Sequence, residues 1–263
     1  MVHAVSNKGI VGLGALGQAI DGFIPATESP AAVLFAVKAF DLEYALLEQA
    51  DQWPEKLPFV TLCNGYIWPV IEKVYPRLGR RPIRIGMTTI GSTITSDGRL
   101  RVFSANTLTA WGHWPDSKVP SIPPDKKEIN LLKRFPGGVW HEDVRPTIQT
   151  KWILNVVINS VGAAYRLKQN GLLNDHQRDV EAALVEAIDL AQKLWPDLPF
   201  ETSQRTHIAA LLWQVVGATS GNQNSMVRDV SLGRQTESEY LAGMAQDYEG
   251  FPVLKRLHTS IVG

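Results

Sequence analysis

The hydrophobic pattern divides the chain into two parts that predict different kinds of structure. Up to residue 146, short continuous apolar runs at residues 32–37, 58–62 and 83–87 alternate with helical patterns such as residues 41–52. A continuous apolar run is typical of a parallel β-strand that is covered on both faces. The first part therefore predicts strands and helices in alternation.

The second part contains helical patterns and no strand pattern. The predicted helices span residues 151–165, 177–194, 203–216 and 236–247. Strands that alternate with helices and are followed by helices alone predict an α/β domain and then an all-α domain. We place these domains at residues 1–146 and 147–263.

Two further strand signals lie late in the first part. Residues 88–111 alternate Thr with Ile and contain an Asp97-Gly98 turn, which predicts a β-hairpin. A short helix is predicted over residues 125–135, and residues 139–141 predict a last edge strand.

A stripe of polar residues stands out in the second part. Lys151, Asn155 and Asn159 are spaced four apart, so they share one face of a helix, and Trp, Ile, Leu and Val occupy its other sides. Such a helix is expected to be buried all round. An unpaired amide or ammonium in an apolar interior is costly, so the stripe either has structural partners or lines a wet cleft that binds a ligand. The stripe by itself leaves both alternatives open.

Charge and composition exclude several classes of function. Lys+Arg and Asp+Glu both number 26, so no basic excess points to nucleic acid or to an anionic membrane as partner. The apolar stretches are too short to span a bilayer, and the N-terminus lacks the features of a signal peptide. The single cysteine forms no internal disulfide, and the histidines show no metal spacing. We expect a soluble cytoplasmic protein without a metal.

A glycine-rich loop follows the first short apolar run. Its sequence is Gly12-Leu13-Gly14-Ala15-Leu16-Gly17, a GxGxxG motif that follows a strand and opens a helix. In this motif the first glycine forms the tight turn, the second lets the backbone approach a pyrophosphate, and the third allows helix and strand to pack closely. The context favours dinucleotide binding over a turn without a ligand.

The second part contains two more polar segments. Residues 224–229 are the polar start of a short helix, and Thr236 to Glu239 resemble a capping box with Thr236 as N-cap. Glu237 would then lie in the first helical turn, where the helix dipole favours a carboxylate. From the local sequence alone, this structural role is favoured over a functional one.

Taken together, these motifs resemble those of a known family. The motifs occur in the order GLGALG at 12–17, Val37-Lys38-Ala39, Asn64-Gly65, the Lys151/Asn155/Asn159 helix, Ser225-Met226-x-x-Asp229 and Thr236-Glu237. From Gly9 to about Met244 the chain resembles the ketopantoate reductase (2-dehydropantoate 2-reductase) family. The resemblance implies a Rossmann-type domain followed by a helical domain of the 6-phosphogluconate dehydrogenase C-terminal type. It also implies NADPH as cofactor and a small 2-keto acid as substrate.

The resemblance also implies the roles of individual residues. Lys151 would be the general acid that protonates the C2 carbonyl oxygen, and Glu237 would contact the substrate hydroxyl and the cofactor ribose. Further residues implied to bind substrate are Asn64, Asn155, Asn159, Asn170 and Ser225. Those implied to bind cofactor are Gly12, Leu13, Gly14, Ala15, Leu16, Gly17, Lys38, Asn64, Ser92 and Glu237. The chemistry agrees, because hydride addition to a ketone builds negative charge on oxygen that a cationic proton donor relieves.

The chain departs from the pattern directly after the glycine loop. Residues 18–30 alone separate the last glycine from the next strand, whereas one βαβ unit takes about 30 residues or more. The side chain that selects NAD or NADP has no place there, and Asp21 and Glu28 are poor substitutes. The link is naturally short, or the gene carries a deletion, or residues are missing from the printed sequence.

Three functions remain in consideration. The leading one is NADPH-dependent reduction of ketopantoate to pantoate, in the biosynthesis of pantothenate and coenzyme A. The second is a relative that reduces a different 2-keto acid, and the third is a non-catalytic dinucleotide-binding protein with an incomplete cofactor site. Apolar helical patterns such as residues 208–216 could serve a core or a homodimer through the helical domain.

Overall fold

The computed structural model describes residues 4–25, 29–95, 97–103, 107–115 and 118–263. The chain forms two compact units, residues 1–148 and 149–263, called unit 1 and unit 2 below. No described helix is long and apolar enough to cross a membrane.

Unit 1 contains a six-stranded sheet and a separate two-stranded hairpin. The strands are β1 (Ile10–Val11), β2 (Val33–Phe35), β3 (Phe59–Thr61), β4 (Ile83–Thr88), β5 (Gly91–Ile94), β6 (Leu100–Phe103), β7 (Thr109–Gly112) and β8 (Gly138–His141). The sheet order is β1-β2-β3-β4-β7-β8, with β4 and β7 antiparallel and the other neighbours parallel. Every residue of β1 to β4 is buried, which explains their continuous apolar runs.

The helices of unit 1 alternate with these strands, as the sequence predicts. They are α1 (Ala15–Asp21), α2 (Leu42–Ala50), α3 (Trp68–Val74) and α4 (Lys126–Leu132). The predicted hairpin is confirmed as β5 and β6, and Gly98 has the positive φ of 80° that its turn requires. The predicted last edge strand is confirmed as β8.

A buried ion pair lies in the middle of the unit 1 sheet. Arg84 on β4 donates from Nε to Oε1 of Glu128 on α4 at 2.8 Å, and both side chains are almost fully buried. The His113 ring approaches the same guanidinium, with Nδ1 3.4 Å from Nη1 of Arg84. Because the paired charges satisfy each other, the apolar pattern of β4 tolerates an arginine.

β1 is the first strand in the order of the six-stranded sheet, and only the short link joins α1 to β2. After α1 ends at Asp21, no further helix or strand precedes β2 among described residues 22–25 and 29–32. α1 itself runs unbroken across Gln18 and Ala19. β1 therefore pairs directly with β2, with Val11 opposite Phe35. The strands that lie beyond β1 in a full dinucleotide-binding fold are not present in the described chain.

Unit 2 is all α, and no strand occurs in residues 149–263, all of which the structure describes. The helices are α5 (Arg145–Ala164), α6 (Gln177–Leu194), α7 (Thr202–Ala218), α8 (Ser225–Ser231) and α9 (Pro252–Val262). Short 3-10 turns span Asn170–His176, Ser238–Tyr240 and Ala242–Asp247. The sequence patterns for α5, α6, α7 and α8 are confirmed, whereas α9 was not predicted.

The prediction of one helix over residues 236–247 is wrong, and so is the capping box. Two 3-10 turns replace the helix, and Leu241 between them has φ −121° and ψ −110°, which is not a helical conformation. Thr236 Oγ1 accepts from the backbone N–H of Ser238 at 3.3 Å, and Glu237 precedes the first turn. The carbonyl oxygen of Tyr240 accepts from the Trp152 indole at 3.0 Å. This tertiary hydrogen bond takes an acceptor that a continuous helix would use itself.

Candidate active site

The polar stripe lies on a stretch of α5, residues 151–163, in which every position except Lys151 and Asn155 is buried. On α5, Lys151 and Asn155 are half-buried and Asn159 is buried with 8% of its surface exposed. The apolar residues between them are all buried, and Trp152 and Val156 are 2% exposed or less. The prediction that apolar packing surrounds this helix is confirmed, and the stripe marks where polar groups approach its surface.

Asn224 ties the start of α8 to the stripe helix. As N-cap, its Oδ1 accepts from the Val227 N–H at 3.0 Å, while its Nδ2 donates to the carbonyl oxygen of Ile158 on α5 at 3.3 Å. A Cβ on Gly162 would lie 2.5 Å from Asn224 Nδ2, so the glycine permits this close approach. Ser225, the first residue of α8, is exposed directly after this junction. The candidate residues Asn159 and Ser225 therefore lie on elements joined by one side chain.

Asn170 has structural partners on both sides of its amide. Its Nδ2 donates to Thr219 Oγ1 at 3.0 Å, and its Oδ1 lies 3.5 Å from Nδ2 of Asn224. Its backbone N–H donates to the carbonyl oxygen of Asn222 at 2.8 Å. These bonds attach the 3-10 turn at Asn170–His176 to the loop before α8, a role that sequence reasoning had not assigned to it.

The segment that contains Glu237 is held in place from two sides. Glu237 is 5% exposed, and the next residue, Ser238, is fully buried with its Oγ 2.8 Å from Nδ1 of His258 on α9. At the other end of the turn, Trp152 donates to Tyr240. Trp152 adjoins Lys151 in sequence, so the elements that carry Lys151 and Glu237 are directly bonded.

Sequence reasoning missed the residues that support the site. Asn224 was detectable, because an asparagine that precedes a helix is a favoured N-cap. Trp152 and His258 were not detectable, since their partners lie 88 and 20 positions away. Burial lowers the pKa of His258 from its ordinary 6.5, while the Glu239 carboxylate acts in the opposite direction.

In unit 1, the three glycines of the loop differ in the space around them. Gly12 has a φ of 87°, and a Cβ there would lie 2.7 Å from Cγ1 of Val37. A Cβ on Gly17 would lie 1.9 Å from the carbonyl oxygen of Gly12, so α1 packs tightly on the loop. Gly14, the N-cap of α1, is exposed, and a Cβ there would meet no described atom within 4 Å. The loop thus fits a pyrophosphate at Gly14 and fits no side chain at the other two glycines.

The other unit 1 candidates follow neighbouring strands. Lys38 follows β2 and Asn64 follows β3, and both residues are half-buried. Val11, Phe35 and Thr61 are aligned across β1, β2 and β3, so the glycine loop, Lys38 and Asn64 all follow the carboxyl ends of parallel strands. This edge is where open α/β sheets bind their ligands. Ser92 lies on β5, in the hairpin that follows β4.

The adenosine end of a dinucleotide finds no matching residue among those described. Asp21 is engaged by Lys8, whose Nζ donates to both Oδ2 and the backbone oxygen of Asp21 at 2.8 Å. Glu28 lies outside the described residues. The described residues therefore offer a glycine loop for a pyrophosphate and no counterpart for an adenosine ribose.

A mostly parallel sheet with a GxGxxG turn after its first strand, followed by an all-α unit, defines a two-domain protein of the Rossmann class. A family model described as "Ketopantoate reductase PanE/ApbA" matches residues 23–116, and "Ketopantoate reductase PanE/ApbA C terminal" matches residues 143–247. The two models together cover most of the chain, which therefore belongs to the ketopantoate reductase family. The first match begins beyond the glycine loop, so the loop rests on its own motif and geometry.

Curated relatives agree with the family, and a solved structure shares the fold. A 2-dehydropantoate 2-reductase from Shigella flexneri is 25% identical over 211 residues, which are 80% of this chain and 65% of the relative. One from Pyrococcus horikoshii is 29% identical over 182 residues, 67% of this chain and 56% of the relative. A D-mandelate dehydrogenase solved with NADH has a TM-score of 0.71 at 18% identity, covering 88% of this chain and 78% of that one. The chain thus spans 65% of the length of the Shigella relative.

Proposed function

We propose that this protein reduces a 2-keto acid with NADPH as hydride donor, and that the keto acid is 2-dehydropantoate. The observation that carries the proposal is the Lys151–Asn155–Asn159 stripe, in which Lys151 and Asn155 are the partly exposed positions of an otherwise buried stretch of helix. Relatives named 2-dehydropantoate 2-reductase support the substrate. A structural neighbour solved with NADH supports a nicotinamide nucleotide as the donor.

Each residue of the proposed mechanism has a separate task. A nicotinamide nucleotide, when bound, would supply the hydride for the carbonyl carbon. The Lys151 ammonium donates a proton to the carbonyl oxygen as negative charge develops there. The amides of Asn155 and Asn159 hold the polar groups of the substrate without adding charge. Ser225 donates to the substrate carboxylate, and Glu237 accepts from its hydroxyl.

The decisive experiment measures NADPH oxidation by the purified protein with 2-dehydropantoate. We expect Lys151→Ala to lower kcat by about 10²–10⁴-fold, because that is what a positioned proton donor contributes. Lys168→Ala is the matched control, since Lys168 is an exposed lysine in the same unit. Equal turnover by wild type and Lys151→Ala would contradict the role of the lysine.

A second candidate is reduction of another 2-keto acid by the same residues. A structural neighbour named D-mandelate dehydrogenase motivates this alternative, although its 18% identity shows only a shared fold. A panel of 2-keto acids in the same assay separates the two, by comparing kcat/KM for each acid with that for 2-dehydropantoate. Absence of turnover with every acid would instead favour the non-catalytic nucleotide-binding protein.

A further inference from the structure

The outer edge of β1 is occupied by the chain's own N-terminal segment. Val5 forms an antiparallel bridge with Val11, Ser6 donates its N–H to Ile10 at 2.9 Å, and Gly12 donates to Ala4 at 3.0 Å. In a full dinucleotide-binding fold, the second strand pairs with this edge, and a residue at its end reads the adenosine ribose. Residues 4–6 therefore occupy the position of the strand that would flank the adenosine.

An ion pair holds this N-terminal segment against α1. Lys8 lies in the turn between Ser6 and Ile10, and its ammonium bonds both the carboxylate and the backbone oxygen of Asp21 at the end of α1. The cation also suits the negative end of the helix dipole. The other carboxylate oxygen of Asp21, Oδ1, is buried. The Lys8 ammonium and the Asp21 carboxylate therefore bond each other and are not available to bind a 2′-phosphate or a ribose hydroxyl.

The described residues of the link to β2 do not replace the strand that would flank the adenosine. A Cβ on Gly9 would lie 3.0 Å from the oxygen of Ala32 and 3.1 Å from Cβ of Pro30. The described end of the link thus packs at the amino end of β1, opposite to the glycine loop. Gly9 also accepts from the Leu34 N–H at 2.8 Å, which fixes the direct passage into β2.

The phosphate and nicotinamide positions are preserved by comparison. The glycine loop has its tight turn at Gly12 and its open position at Gly14, and Lys38 and Asn64 follow the next two strands. We infer that this site binds nicotinamide nucleotides through their nicotinamide and phosphate half alone and does not distinguish NADPH from NADH. Reduced nicotinamide mononucleotide belongs to the same ligand class. The inference rests on the proposed function only in taking a nicotinamide nucleotide as the hydride donor.

Calorimetric titration of the intact protein tests this directly. We expect Kd values for NADPH and NADH within about twofold, because a charged side chain that reads the 2′-phosphate would separate them by about tenfold or more. Reduced nicotinamide mononucleotide is expected to bind, and adenosine 2′,5′-bisphosphate is expected not to displace NADPH. Lys8→Met should leave the ratio of the NADPH and NADH Kd values unchanged.

A pair of loop variants tests the other half of the inference. Gly14→Asp and Gly14→Asn both place a favoured N-cap residue in open space, so both are expected to fold. Only the aspartate adds a negative charge beside the phosphate. It should weaken NADPH, NADH and reduced nicotinamide mononucleotide by a common factor, about tenfold or more relative to Gly14→Asn.

The outcomes separate the inference from the proposed function. Preference for NADPH of tenfold or more, or displacement by adenosine 2′,5′-bisphosphate, would overturn the inference and leave the reductase proposal standing. Failure of reduced nicotinamide mononucleotide to bind would also overturn the inference. If none of the three reduced nucleotides binds, both the inference and the proposed function are wrong.

Discussion

The two units differ in how much of their candidate machinery is present. In unit 2, Asn224 and Trp152 hydrogen-bond α5 to neighbouring segments, and Ser238 and His258 hydrogen-bond each other. In unit 1, the glycine loop is well formed, but the sheet ends at β1. The residues proposed to meet the reacting groups are among those described, whereas no described residue matches the far end of the cofactor. Some contacts bind the ground state and the transition state equally well. Their loss lowers the affinity for the cofactor more than it slows the chemical step.

The largest effect expected here comes from the same substitution made in each unit. Gly17→Ala should destabilise the protein by about 3 kcal/mol, because the new methyl would overlap the Gly12 backbone oxygen. Gly217→Ala on α7 should stabilise it by about 0.5–1 kcal/mol, since its Cβ enters open space in a helix. Urea unfolding measures both free energies. A neutral Gly17→Ala would contradict the tight packing of the loop.

A smaller effect tests the support of the substrate stripe. Asn224→Ala should lower the free energy of unfolding by about 1 kcal/mol, because α8 loses its cap. It should also raise KM for the keto acid more than that for the nucleotide, since Asn224 joins the elements of Asn159 and Ser225. Asn222→Ala, at an exposed asparagine in the same loop, is the control. An equal rise in the KM values for the keto acid and the nucleotide would contradict the assignment of substrate binding to unit 2.

The smallest effect concerns pH, and each unit contributes one histidine. Burial lowers the pKa of both His113 and His258 from 6.5; the Arg84 charge adds to this at His113, whereas Glu142 opposes it there. The unfolded chain therefore takes up protons first, so the free energy of unfolding should fall as pH drops below 6.5 towards the lower folded-state pKa values. Urea unfolding at several pH values checks this. His113→Gln and His258→Gln should each flatten the slope, and an unchanged slope in one would exclude that histidine.

Much of the fold could be predicted from the sequence because its signals are local. The apolar runs of β2, β3 and β4 mark strands buried on both faces, and the spacing of Lys151, Asn155 and Asn159 places them on one helix face. The segment at residues 236–247 could not be predicted in the same way. A hydrogen bond from Trp152 uses the carbonyl oxygen of Tyr240 in place of a helical bond, and the two residues are 88 apart in sequence.

For the candidate site, the sequence by itself determined the residue types and their order: the glycine loop, Lys38, Asn64, the α5 stripe, Ser225 and Glu237. It also showed that the link between the loop and the next strand is too short for a βαβ unit. Only the tertiary structure decided which residues pair with the outer edge of β1. Hydrogen bonds between residues 4–6 and 10–12 satisfy that edge, and the Lys8–Asp21 pair holds the segment against α1. The side-chain pair depends on spatial proximity, because it joins residues that no helical or strand period relates.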